Sequence, residues 1–133
     1  MRRPRGMMSR GRIALSGNRG EVNFNLAMII FEEDGAVVAY CPPLDLAGYG
    51  NNEEEAISSF EYVVSEYFEY TTKKNTLLTD LRRLGWNIKK NLHKSVTPPE
   101  NSYLLSKNEN FKRIFENFDY KKTSTNIQIP ALA

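Results

Sequence analysis

Cysteine is nearly absent from this sequence. Cys41 is the only one in 133 residues, which excludes an internal disulfide and any multi-cysteine zinc site. Histidine is as scarce, with His93 alone, so the soft ligands of a zinc or copper centre are missing. No metal and no cofactor are expected. No apolar run approaches the ~20 residues of a membrane-spanning helix, and none follows the basic start. The chain therefore reads as a soluble, cytoplasmic protein without a secretory signal. What it does contain is 41% hydrophobic and 11% aromatic residues, apolar material for one ordinary globular core.

Positive charge is missing from fifty consecutive residues. Residues 21–70 carry eleven acids and no Lys or Arg, although the whole chain has a net charge of +2. Residues 1–20 carry six arginines and no acid, and residues 71–133 carry twelve basic and five acidic residues. An acidic segment of this kind suits a basic partner and repels nucleic acid, and its plainer reading is a solvated helix face.

Residues 1–20 read as a basic, irregular arm with no sustained apolar period. Three readings stay open for it: an over-called start with Met7 and Met8 as later initiation points, a transit peptide, or, ranked last, a nucleic-acid tail. From Val22 to Phe31 even positions are apolar throughout, and odd positions turn apolar at Ile29 and Phe31. Such a strand begins with one wet face and ends buried on both. Asp34-Gly35 between apolar runs predicts a two-residue hairpin turn, with Ala36–Cys41 returning. The turn sets Glu33 opposite Ala36, Phe31 opposite Val38 and Ile29 opposite Tyr40, so Cys41 faces Met28 on the continuously apolar side. Ile29, Phe31, Val38 and Tyr40 gather on the other face. If no element of the chain covers them, they form a self-association patch.

Pro42 and Pro43 stop the ladder. Leu44 to Gly50 reads as a short third strand, where Gly48 and Gly50 remove side chains so that a helix can approach. Asn52 with Glu55 three residues on is a capping-box pattern. Ala56, Ile57, Phe60, Val63, Val64, Tyr67 and Phe68 then recur at helical spacing, with Glu54, Glu61, Ser65 and Glu69 off the stripe. A second, short helix runs from Leu77 to Leu84, capped by Thr76 and stopped by Gly85, and Trp86 and Ile88 open a further strand. Beyond Lys89 the signals weaken: a strand over Ser102–Leu105, a short amphipathic helix over Glu109–Phe118, and a strand over Asn126–Ile129.

The expected fold class is α+β: a three-to-four-stranded, mostly antiparallel sheet with one long helix packed on one face, in β-β-β-α-β order. A short second helix and a C-terminal extension complete it. The corresponding division is an arm over 1–20, an α+β domain over 21–88 and an extension over 89–133.

A nucleophilic Cys41 needs a base and an orienting group, and His93 stands in a Lys/Asn-rich stretch without a nucleophile motif. The hairpin register turns the thiol inward, where a cysteine behaves as a small hydrophobe. Glu53, Glu54 and Glu55 point in different directions on a helix, so capping and dipole compensation explain them better than a metal or acid–base site. Gly48-Tyr49-Gly50 lacks the spacing of a phosphate loop. No catalytic residues are assigned, and an enzyme is not expected.

Asp34-Gly35, Ala39-Tyr40-Cys41-Pro42, Leu44, Gly50, and then Asn52, Glu54, Glu55 and Ala56 stand in an order that resembles the N-terminal domain of the HicB antitoxin family, over about residues 26–70. The resemblance implies a HicB-like domain over 21–88 with a partial RNase-H-like fold lacking that fold's catalytic acids. It also implies a type II toxin–antitoxin role, masking a small basic RNA-cleaving toxin of the HicA type, often as an oligomer. Family members often carry a C-terminal DNA-binding motif, and residues 89–133 show neither a helix-turn-helix nor a ribbon-helix-helix pattern. The expected partner-binding residues are Glu54, Glu61, Glu66 and Glu69. The alternatives are a nucleic-acid-binding regulator using the basic arm or C-terminal part, and an orphan HicB-like module that self-associates without a toxin.

Overall fold

The computed structural model describes residues 21–90, 92 and 96–130. The basic arm and His93 lie outside the described residues. Asp34 and Gly35 both take positive φ, 54° and 82°, as a type I′ turn requires. They join β1 (Glu21–Glu33) to β2 (Ala36–Cys41) in the expected register, with Ile29 opposite Tyr40 and Phe31 opposite Val38. Cys41 shares a core cluster with Leu26, Met28 and Ile30 on one side of the sheet.

β2 stops where the prolines begin, and the chain turns a corner held inside the protein. Asp45 N–H donates to the Cys41 carbonyl at 2.8 Å, Leu44 N–H reaches the same oxygen at 3.2 Å, and Asp45 takes φ 54°. The third strand therefore starts two residues later than the apolar pattern suggests: β3 is Leu46–Gly50. Leu44 belongs to the turn and is buried there. From the core side the Trp86 indole N–H donates to the Pro43 carbonyl at 2.8 Å, while its ring meets Phe24 edge-on at 5.2 Å.

α1 (Glu53–Lys73) begins at Asn52, whose side chain accepts from Glu55 N–H at 2.9 Å. The Glu55 carboxylate reaches back to Asn51 N–H at 2.9 Å, a one-residue variation on the reciprocal cap. Its inner face buries Ala56, Phe60, Val64, Phe68 and Thr71 against the sheet. Gly48 lets the helix come this close: a Cβ there would stand 2.1 Å from Phe60 N and 2.5 Å from the Ala56 carbonyl oxygen. α2 (Leu77–Arg83) follows, ending at Gly85 with φ 103°, and a two-residue ladder joins β4 (Asn87–Ile88) to β5 (Val96–Thr97).

The C-terminal part departs most from expectation. Ser102–Leu105 is not a strand but part of a helix, α3 (Asn101–Lys107), which is followed by α4 (Glu109–Asn117). The backbone groups of this segment pair within the helix, as in Leu104 N–H to Glu100 O and Asn108 N–H to Leu104 O. The last strand is longer than Asn126–Ile129: β6 (Tyr120–Pro130) pairs antiparallel with β1 from Glu21 opposite Pro130 to Phe31 opposite Tyr120. The sheet order is β3-β2-β1-β6, all antiparallel. Residues 101–130 thus supply a helical layer and a strand to the same four-stranded sheet.

The expected self-association patch is corrected by the same finding. Ile29, Phe31, Val38 and Tyr40 are only 3–4% exposed, because Leu104 of α3 and Phe111 and Ile114 of α4 pack over them. A face that apolar has to be covered, and the chain covers it with its own helices. Asn108 pins the layer in place: its Oδ1 accepts from Phe111 N–H at 3.1 Å, capping α4, while its Nδ2 donates to the Tyr40 hydroxyl at 2.9 Å.

Two glycine substitutions separate close packing from backbone conformation. Gly48→Ala drives a methyl group into helix backbone that cannot yield, and the expected loss in denaturant unfolding is at least about 3 kcal/mol. Gly35→Ala meets no atom within 4 Å and strains only a left-handed φ, so its expected cost is about 1 to 2 kcal/mol. Equal losses at the two positions would contradict the close approach of α1.

Candidate recognition face on helix α1

With α1 packed against the sheet through Ala56, Phe60, Val64 and Phe68, its opposite side faces water. Side chains four apart in a helix stand in rows. One row here runs Glu54, Ser58, Tyr62, Glu66, Tyr70, and beside it lie Glu61, Ser65, Glu69 and Lys73, every one of them exposed. From Glu54 to Tyr70 the face is about 24 Å long. The four glutamates expected to bind a partner are thus brought onto one surface.

The tyrosines in this surface were not singled out by sequence reasoning. Tyr62 is 67% exposed and Tyr70 62%, and Glu66 stands between them in the same row. The signal was their spacing of four and twelve from Ser58, off the apolar stripe. An exposed tyrosine offers a flat apolar body and a hydroxyl, the combination enriched where proteins bind one another. Lys74 approaches the Tyr70 ring at 5.9 Å from the centroid and closes the face at its C-terminal end.

Charge within the fold decides which glutamates remain open. Glu53 is engaged by Lys121 of β6, with Nζ donating to both carboxylate oxygens at 2.7 and 2.9 Å. Glu55 serves the cap, and Glu69 lies 4.0 Å from Lys73. Among the described residues Glu54, Glu61 and Glu66 have no ion-pair partner. Partial desolvation raises the Glu61 carboxyl pKa. Arg113 of α4 meets Glu33 of β1 at 3.0 Å, so part of the basic C-terminal half neutralises the acidic half inside the molecule.

The far end of α1 is braced by α2. The Tyr67 hydroxyl donates to Asp80, whose other oxygen accepts from Arg83 Nε at 2.8 Å. Arg83 and Tyr67 together hold the Asp80 carboxyl below its usual pKa against the opposing effect of burial. This brace ties the last turns of α1 to α2.

Cys41 is fully buried, and burial pushes its thiol up to about 12, partly offset by its hydrogen bond with Leu44. Among the described residues no group of three His, Cys, Asp or Glu side chains is placed to hold a metal ion, and no helix is long and apolar enough to cross a membrane. Compared with known protein families, with curated proteins and with solved structures, the chain finds no match.

Cys41 gives this arrangement a pH signature. An unfolded thiol ionises near 9.0 and the native one near 12, so as pH rises the unfolded chain loses its proton first. The neutral thiol's contribution to stability is complete below pH 9 and declines from 9.0 to about 12. Tyr40 and Tyr67, raised by burial and by the carboxylates of Asp45 and Asp80, act in the same direction from about pH 10 upward. Denaturation midpoints measured against pH are expected to fall above pH 9, with a later onset in Cys41→Ala. Native Cys41 is expected to react with a thiol reagent at neutral pH only as fast as the protein opens, and burst labelling would contradict its burial.

Proposed function

We propose that this protein is a binding protein whose recognition surface is the outer face of α1, and that its partner is a small basic protein. The observation that carries the reading is one surface with two properties. Glu54, Glu61, Glu66 and Glu69 project from it without a cation before Lys73, and Tyr62 and Tyr70 stand exposed among them. Negative charge steers and orients a basic partner, while the tyrosine rings supply area that can be desolvated on contact. Charge alone would be consistent with a merely solvated helix, but a solvated helix has no need of two largely bare aromatic rings in line.

The resemblance to HicB antitoxins gives this reading a more specific form: the partner is an RNA-cleaving toxin of the HicA type, and the protein is its antitoxin. The α1 face is able to cover a cationic RNA-binding surface because it presents to that surface what RNA presents, anionic groups and planar rings. A nucleic-acid-binding reading is less well supported. The α1 face repels phosphate, and Arg113 and Lys121 of the basic C-terminal part are engaged with Glu33 and Glu53.

Reversal of the face tests the reading. With Glu54, Glu61, Glu66 and Glu69 all changed to Lys, and separately with Tyr62 and Tyr70 changed to Ala, folding is expected to survive because all six side chains are exposed. The wild-type protein, used as bait in its native cells, is expected to retain a basic protein that elutes as salt is raised. Affinity measured on the purified pair is expected to fall at least about a hundredfold with either variant. Unchanged affinity in both variants would place recognition elsewhere.

A further inference from the structure

We propose that the outer edge of β6 is a dimerisation edge, on which a second copy of this chain adds antiparallel through Thr123–Ile129 about a two-fold axis at Asn126. β6 is the last strand of the sheet and pairs along all eleven residues with β1. Among the described residues nothing pairs with its other side, so alternate N–H and C=O groups along about 35 Å of strand point outward. The opposite edge is different. β3 is only five residues long, and one of its outward groups, Tyr49 N–H, is taken by the Ser59 hydroxyl of α1 at 3.1 Å.

Solitary edge strands are protected by charge, proline, bulges or brevity. From Thr123 to Ile129, TSTNIQI, there is no charge, no proline and no glycine, and the β1 ladder runs through it without a bulge. The two lysines, Lys121 and Lys122, stand at one end and Pro130 at the other. That asymmetry is what identifies the partner as a second copy.

An antiparallel two-fold at Asn126 sets Thr123 opposite Ile129, Ser124 opposite Gln128 and Thr125 opposite Ile127 of the other copy. Each Lys122 then faces Pro130 rather than another lysine. Glu21 is the β1 neighbour of Pro130 and lies on the same sheet face, so Lys122 of one copy approaches Glu21 of the other across the proline. Among the described residues Glu21 has no ion-pair partner within its own chain. The side chains match as well. Asn25 already stands opposite Asn126, so the dimer extends that pair into a row of four asparagines across the junction, all drawn from exposed positions. The product is a continuous eight-stranded sheet with about one backbone hydrogen bond per residue pair across the junction. Both α1 faces remain open.

Sedimentation of the full chain tests this. The wild type is expected to be a dimer at micromolar concentration. Asn126→Lys sets two like charges directly opposite one another and is expected to weaken the dimer at least about tenfold. The exposed position keeps the monomer folded, which circular dichroism checks. Asn126→Cys is expected to give a disulfide-linked dimer on mild oxidation, since Cys41 is buried and silent, whereas Tyr62→Cys on α1 is expected to stay unlinked. A wild type that sediments as a monomer at submillimolar concentration overturns the proposal. A dimer that Asn126→Lys leaves intact, or Asn126→Cys chains that do not cross-link, overturns it too.

Discussion

The rest of the molecule is organised around the double burial of β1. From Met28 to Phe31 four consecutive residues are buried, two on each side of the sheet. A strand of that composition is stable only if both faces are covered and both edges are paired. The chain answers each requirement with a separate element. β2 and β6 take the edges, α1 covers Met28 and Ile30, and α3 with α4 covers Ile29 and Phe31. α1 also packs closely on β3 at Gly48, so the covers and the sheet support one another.

Function on this scaffold follows from what the covering leaves outside. α1 lies so close to the sheet at Gly48 that its inner stripe is consumed entirely, and the face it turns to water is polar by necessity. That necessity does not account for Tyr62 and Tyr70. The corner Cys41–Asp45 is a hub of structure. Trp86 holds it from the core and Asn108 reaches it through Tyr40, so the two helical layers are tied to one turn. Two cations of the basic C-terminal half tie it to the acidic half, Arg113 on Glu33 and Lys121 on Glu53.

The N-terminal half was legible from the sequence because its signals are local. An Asp-Gly turn sets a register, a proline pair ends a strand, and an Asn cap opens a helix with a long apolar stripe. The C-terminal half was not legible, and each miss has a physical cause. α3 buries one side chain, Leu104, too few to show a period. β6 shows no alternation over Tyr120–Asn126 because much of both its faces is wet, and what makes it a strand is the ladder to β1 a hundred residues away. The threonines at 123 and 125 were the available hint. Odd positions turning apolar at Ile29 and Phe31 did announce a second buried face. Which element covers that face, residues 101–117, is settled by packing and carries no local signal in the sequence. The outward face of α1 was half legible: its glutamates fall off the stripe, but its tyrosines resemble core residues until the helix is placed.

Native-state hydrogen exchange on the full chain tests the central dependence most directly. If β1 requires all its covers and edges at once, the slowest amides of Met28–Phe31, of α4 around Phe111 and Ile114, and of β6 around Ile127 will exchange through one common opening. Their opening free energies will agree and will fall together with denaturant. Exchange of α4 and β6 at far lower free energy, with β1, β2, β3 and α1 still protected, would show the C-terminal segment to be an appendage and contradict the account.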